Sequence, residues 1–307
     1  MSGANTPNFA RAPEGALRQH HIGVIGGSGL YAMASLTDVR EEMVRTPFGD
    51  PSDGVVIGSL GDTRFYFLPR HGRGHRIPPS RVNYRANLYA LKMLGAEQIV
   101  SVSAVGSLRE DVHPGEIVLV DQYIDRTRSR VGTFFDEVGV VAHVSLADPT
   151  DPALTRALSR ALASTGAKVH PTGTYLCMEG PQFSTRAESR LYRSWGADVI
   201  GMTGMPEAKL AREAELPYAS LALVTDYDCW HEHEADVSVD EVLTVMAKNV
   251  AVARAVLAGV HDWPPPSESP ATRALAQALI SEPSRVSQQT RERMALLIGK
   301  YLPAQPD

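Results

Sequence analysis

Short apolar runs, each ending in a cluster of glycine, hydroxyl or charged residues, set the pattern of this chain. His21–Gly26 (HIGVIG) runs straight into Gly27, Ser28 and Gly29; Arg64–Pro69 runs into Arg70-His71-Gly72-Arg73; Ala219–Thr225 runs into Asp226. Val55–Leu60, Gln98–Ser103, Glu116–Asp121, Gly173–Met178 and Asp198–Met202 have the same character. Runs this short and this continuously apolar read as strands buried on both faces. Between them lie helical patterns at Asn83–Gly95, Pro152–Ser164, Ala187–Trp195, Pro206–Ala214 and, longest of all, Val239–Val260. In the first of these, Ala86, Ala90, Leu91 and Leu94 fall at helical spacing and Gly95 supplies a C-terminal stop. Such alternation restricts the chain to an α/β fold with helices on both faces of a sheet. Residues 21–262 are expected to form one domain, with 1–20 as a flexible lead-in. Trp263–Pro270 (WPPPSESP) ends the long helix and reads as a linker. The rest of 263–307 is expected as a C-terminal helical appendage with turns of helix at Ala271–Ile280 and Arg291–Leu302.

Composition narrows the function classes. The 307 residues carry 30 Lys+Arg against 35 Asp+Glu, a net charge of −5 without any long basic run, which argues against a nucleic-acid binder. No apolar stretch approaches the roughly 18–20 residues that cross a bilayer. Met1–Gln19 lacks the apolar core of a secretory signal, so no membrane association and a cytoplasmic location are expected. Cys177 and Cys229 belong to no CxxC pair, and His231-Glu232-His233-Glu234 does not match the helical H-E-x-x-H spacing, so no metal site is expected.

Five segments at strand ends carry chemistry. Gly26-Gly27-Ser28-Gly29-Leu30 can present successive N–H groups to an anion; it also fits the relaxed dinucleotide pattern G-x-G-x-x-A through Ala32, or is a structural turn. Arg70-His71-Gly72-Arg73-Gly74-His75-Arg76 is either a phosphate-binding loop or a solvated basic one. Ser101–Ser107 offers small side chains that let a ligand approach the backbone, or that serve tight packing. In Glu179–Arg186, Phe183 can stack on a flat base or join the core, and Ser184 can hold a water or a ring nitrogen. Asp226 and Asp228 are one residue apart; on a strand they share a face, where mutual repulsion raises the pKa of one. A carboxyl kept protonated near neutrality can protonate a leaving group; the alternative is a solvated surface turn.

These blocks, in the order GGSGL, RHGRGHRIPPSRVNYRAN, SAVGSLRE, EGPQFSTRAES, MTGMPEA and TDYDCW, resemble the trimeric purine nucleoside phosphorylases, most closely their 5′-methylthioadenosine-cleaving branch. The likeness runs from about His21 to Gly259. It implies a nucleoside phosphorylase-like fold with a central mixed β-sheet, and phosphate-dependent cleavage of the N-glycosidic bond. It further implies a homotrimer, a nucleoside and inorganic phosphate as the small-molecule partners, and no cofactor. By resemblance, phosphate is held by Ser28, Arg70, His71, Ser103, Ala104 and Thr203. Met202 contacts the ribose, Phe183 packs on the base, and Asp226 acts as general acid toward purine N7, assisted by Ser184 and Asp228. Asp rather than Asn at 226 favours a 6-aminopurine over a 6-oxopurine. Val239, Val242 and Leu243 are expected to line an apolar 5′ pocket, completed by His143 or by the C-terminal helices of a neighbouring subunit. That pocket suits a methylthio group and admits a 5′-halo-5′-deoxyadenosine. The other classes are a nicotinamide-dependent dehydrogenase built on the Gly26–Ala32 turn, and a protein that binds nucleoside without consuming it.

Overall fold

The computed structural model describes residues 19–27, 29–231 and 250–303. Eleven strands among them belong to one sheet: β1 (His20–Gly26), β2 (Thr37–Glu42), β3 (Val55–Leu60), β4 (Thr63–Pro69), β5 (Gln98–Ser107), β6 (Ile117–Val120), β7 (Gln122–Asp125), β8 (Val169–His170), β9 (Thr174–Cys177), β10 (Val199–Gly201) and β11 (Tyr218–Asp226). The helices are α1 (Tyr84–Met93), α2 (Pro152–Ala163), α3 (Arg186–Ser194), α4 (Gly204–Glu213), α5 (250–259), α6 (Gln288–Arg293) and α7 (Ala295–Ile298).

Local chemistry explains the helix starts. Asn83 accepts from Ala86 N ahead of α1, and Asp151 accepts from Leu154 N with Pro152 in the first turn of α2. Thr185 and Glu188 form a reciprocal capping box on α3. Strand burial follows the period of two. Along β11, Leu221 and Leu223 join one apolar cluster and Ala222 and Val224 the other. The first cluster is covered by α2 and α5, through Leu154, Leu158, Val256 and Leu257; the second by α1 and α4, through Leu88, Leu91, Ala208 and Leu210. Both faces are therefore buried, which is why these strands lack polar alternation.

Strand order is β2-β3-β4-β1-β5-β10-β9-β7, with β11 joining β5 to β6 and β6 joining β8. The sheet is mixed, as expected: β4, β1, β5 and β11 run parallel, whereas β10 is antiparallel to β5. One edge of β5 pairs with β11 from Ile99 to Gly106. The other edge pairs with β1 only as far as Ser101, and with β10 only from Gly106. Between them, Val102–Val105 have no strand beside them on that edge. This split, at the carboxyl ends of parallel strands, is where open α/β sheets bind ligands.

Several elements differ from the sequence reading. β5 continues through the small-residue segment to Ser107. β2 was not predicted because its residues TDVREE are exposed and carry no apolar alternation. No helix follows the glycine turn: among the described residues, 29–36 form turns and β2 begins at Thr37, so the βαβ unit that a dinucleotide site requires is not built here. The C-terminal residues 263–303 form short helices that dock on the domain. Leu275, Leu297 and Ile298 are at most 2% exposed, inside the same cluster as α1 and α4. Tyr301, Lys300 and the Leu275 N–H all bond the buried Glu215 carboxylate. The predicted helix at Ala271–Ile280 is instead a 3-10 turn over Pro270–Arg273 followed by turns.

Candidate active site

The split in the sheet gathers the predicted anion residues. Arg70 follows β4, and its N–H donates to Gly26 O at the end of β1 (2.9 Å). Ser103 and Ala104 lie on the unpaired stretch of β5, and Thr203 follows β10 as the residue preceding α4. Ser103 and Thr203 are buried. Ser28 lies outside the described residues, as do Val239, Val242 and Leu243. The flanking glycine turn is held by Arg254 of α5, whose Nε donates to Gly29 O (2.8 Å).

Arg70 is only 2% exposed, and its guanidinium is engaged by the protein itself. Nε and Nη2 form a fork onto the Glu207 carboxylate (2.8 and 3.0 Å), and Nη2 also reaches Ser101 Oγ (2.8 Å). Nη1 donates to Val102 O (3.3 Å), beside the open edge of β5. Glu207 is fully buried and also accepts from Tyr218 OH (3.0 Å). Burial disfavours the Arg70 charge, but Glu207 outweighs it and holds the group firmly protonated. Nη1 is thus the part of Arg70 with donor capacity left for a ligand.

His71 donates from Nδ1 to Ile77 O (2.8 Å) in its neutral form, which leaves Nε2 as an acceptor. Burial, assisted by the Arg70 charge, pushes its pKa down to about 4. An incoming anion opposes both effects and favours a proton on Nε2, which then donates.

The carboxylate pair is built differently from the sequence expectation. β11 ends at Asp226, whereas Asp228 opens a short 3-10 turn with φ +50°, so the two do not share a strand face. They meet because the Asp228 N–H donates to Asp226 Oδ1 (2.8 Å). Thr225 Oγ1 donates to Asp226 Oδ2 (2.7 Å). Asp226 lies against Gly106 of β5, where a Cβ would come within 2.8 Å of Oδ1, so any larger residue there would push the carboxylate aside. Burial raises the pKa of Asp226. Asp228 is 5% exposed; burial, with the neighbouring Asp226 charge and against a hydrogen bond from Ser189, pushes its pKa up to about 6. Burial thus moves both carboxyls up from the ordinary aspartate range toward that of a general acid.

Two loops complete the surroundings. The segment after β9 carries Phe183, which at 48% exposed is no core residue, and Ser184. Ser184 O accepts from Cys229 Sγ (3.1 Å), which ties this loop to the Asp226–Trp230 turn. Trp230 anchors that turn through Nε1 to Ser107 O (2.8 Å), with Arg193 over its ring. Gly180, at φ +66°, packs so closely on Met202 that a Cβ would lie 2.5 Å from Sδ, which brings the loop against the end of β10. His143 stands apart. It lines a separate cleft with Arg212, Arg273 and Gln277, and among the described residues none of the other predicted site residues lines that cleft.

Sequence reasoning did not single out Glu207, Tyr218 or Arg130. Glu207 sits in the first turn of a helix, where an acidic residue is ordinary. Arg130 ends the polar run Arg126–Arg130, which reads as a solvated loop. Among the described residues, no group of three His, Cys, Asp or Glu side chains could hold a metal ion, and no helix is long and apolar enough to cross a membrane.

Comparison with known proteins places this chain in a family of enzymes. A model of the phosphorylase superfamily matches residues 21–261. The S-methyl-5′-thioadenosine phosphorylase of Geobacter sulfurreducens is 55% identical over 283 residues, which span 92% of this chain and 99% of that protein. A methylthioadenosine phosphorylase from an antarctic soil metagenomic library superposes with a TM-score of 0.85 at 49% identity, over 92% of this chain and 99% of that one. The methylthioadenosine phosphorylase of Schistosoma mansoni, solved in complex with adenine, superposes with a TM-score of 0.75 at 36% identity, over 92% and 98% of the two chains.

Proposed function

Since the chain belongs to the phosphorylase superfamily, we propose that it cleaves 5′-methylthioadenosine with inorganic phosphate, giving adenine and 5-methylthioribose 1-phosphate. The observation that carries this reading is the meeting at one sheet end of Arg70, Ser103, Ala104 and Thr203, around the split in β5, with the buried and hydrogen-bonded Asp226–Asp228 pair at the end of β11. In the reaction a phosphate oxygen bonds to C1′ as the bond from C1′ to the purine breaks, and the purine leaves with a proton on N7.

Asp226 is the proposed donor of that proton, with Ser184 and Asp228 supporting it. A positioned acid of this kind contributes about 10²–10⁴-fold. Arg70 Nη1, His71, Ser103, Ala104, Thr203 and Ser28 are proposed to hold phosphate, whose negative charge also stabilises the positive ribose as the bond breaks. Met202 is proposed to face the ribose and Phe183 the base. No covalent enzyme intermediate and no cofactor is needed, since phosphate itself is the nucleophile.

For the 5′ group the proposal rests on sequence: Val239, Val242 and Leu243 offer apolar side chains suited to methylthio. We extend the reading to a homotrimer in which His143 serves a neighbouring subunit's site, supported by its position away from its own chain's Asp226. The test is kcat/KM for 5′-methylthioadenosine against adenosine, inosine and 5′-halo-5′-deoxyadenosine. A preference for the methylthio nucleoside is expected, though an apolar pocket separates close analogues by only about 1–3 kcal/mol. Faster turnover of inosine would overturn the adenine assignment; faster turnover of a 5′-halo nucleoside would overturn the methylthio one.

A further inference from the structure

Arg130 lies in the loop after β7, far in sequence from every segment assigned above, and its side chain is 2% exposed. Nη1 donates to Met202 O (2.5 Å), Met205 O (2.7 Å) and Tyr84 OH (3.0 Å). Nη2 donates to Glu179 O (2.6 Å) and Met178 O (3.4 Å), and Nε to Glu179 Oε1 (3.3 Å). One planar fork therefore grips the backbone on leaving β9 and again on leaving β10. The first segment leads to Phe183 and Ser184, and the second contains Met202 and Thr203. The peptide between Met202 and Thr203 is held from both ends, its carbonyl by Arg130 and its N–H by Tyr175 OH (3.4 Å).

Glu179 is the acidic partner, and its carboxylate is shared with the N–H groups of Arg128 (2.5 Å) and Ser129 (3.2 Å). The positive field reaches His71, where Arg130 adds to the effects that disfavour imidazolium. The buried guanidinium satisfies its donors with four main-chain carbonyls as well as the Glu179 carboxylate, so the planar geometry of one side chain fixes where those carbonyls lie.

We propose that Arg130 is a positioning residue for phosphorolysis, setting the segment that faces the ribose and the loop that covers the base in fixed relation to each other. This rests on the activity proposed above. A lysine keeps the charge but, as a point donor on a flexible stem, cannot grip both segments. Misplacement of reacting groups by about 1 Å costs on the order of 10²-fold.

The test is steady-state kinetics of wild type, R130K and R130A on 5′-methylthioadenosine and phosphate, with melting curves alongside. For R130K the expected result is a folded protein whose kcat falls about tenfold or more, with the phosphate KM changed by less than about threefold. For R130A, added guanidinium chloride at millimolar concentration is expected to restore part of kcat, and methylammonium chloride is not, a readout that a merely structural role would not give. Wild-type kcat in folded R130K, loss in R130A that only tracks unfolding, or failure of both variants to fold would each overturn the proposal. An inactive wild type would instead overturn the activity on which it rests.

Discussion

Asp226 and Asp228 show how chemistry at the residue scale follows from burial. Each is a carboxyl whose ordinary pKa lies far below neutrality, and each is raised by removal from water, Asp228 to about 6. Asp226→Asn keeps the size and the acceptor for the Asp228 N–H but has no proton to give. Turnover of the adenine nucleoside is expected to fall about 10²–10⁴-fold with a melting temperature no lower than that of wild type. An adenine-release assay beside a thermal melt checks both halves. Asp228 carries a stability consequence as well. Its pKa is higher in the folded state than unfolded, so its favourable contribution is complete below about 3.8 and is lost as pH rises through about 6. Asp228→Asn, which tolerates φ +50° as aspartate does, is expected to stabilise the protein at pH 8 by at most roughly 3 kcal/mol, and by far less at pH 4. Denaturant midpoints at the two pH values measure this; equal shifts at both would contradict it. The pair was legible in the sequence as two acids after an apolar strand. Their geometry was not, because Asp228 leaves the strand at a left-handed residue, a turn that side-chain spacing does not encode.

At the scale of elements, the split in β5 decides where the residues proposed to hold phosphate meet. The sequence reading ends this strand at Ser103, with Ser101–Ser107 as small residues at its end, because small side chains carry little strand signal; the strand in fact runs on to Ser107. It changes neighbours along this stretch, and small side chains there leave room for Arg70 and Asp226. The basic loop after β4 was legible because charge follows an apolar run at a strand end. The buried Glu207 that Arg70 needs was not, since one acid on α4 looks like any other. That partner changes the expected outcome of mutation. Arg70→Ala would strand a fully buried carboxylate as well as weaken phosphate binding, and a loss of about 3–5 kcal/mol in unfolding free energy is expected. Urea denaturation tests it, and a variant as stable as wild type would mean that the Arg70–Glu207 pair does not hold this region together. β2 and β8 escaped notice for a simpler reason: the first is almost wholly exposed and the second spans two residues.

At the scale of the whole molecule, the residues proposed to hold phosphate and the Asp226–Asp228 pair lie at one end of the sheet, while His143 faces a different cleft. The proline-rich segment after Asp262 reads as a linker by composition, yet it leads into residues that fill the core over α1 and α4. Proline density reports a break in helix and is silent on whether the residues beyond it pack. If a neighbouring subunit supplies His143, the protein should sediment as three copies of the 33.2 kDa chain, about 100 kDa, and an active monomer would remove His143 from the site. Above every such detail stands the claim that phosphate is the nucleophile. The most direct test is to incubate purified protein with 5′-methylthioadenosine, with and without phosphate, and to follow adenine by chromatography and the sugar phosphate by phosphorus-31 NMR. The account predicts adenine and 5-methylthioribose 1-phosphate in equal amounts, formed only when phosphate is present. Adenine released at the same rate without phosphate, with free sugar as the other product, would contradict it.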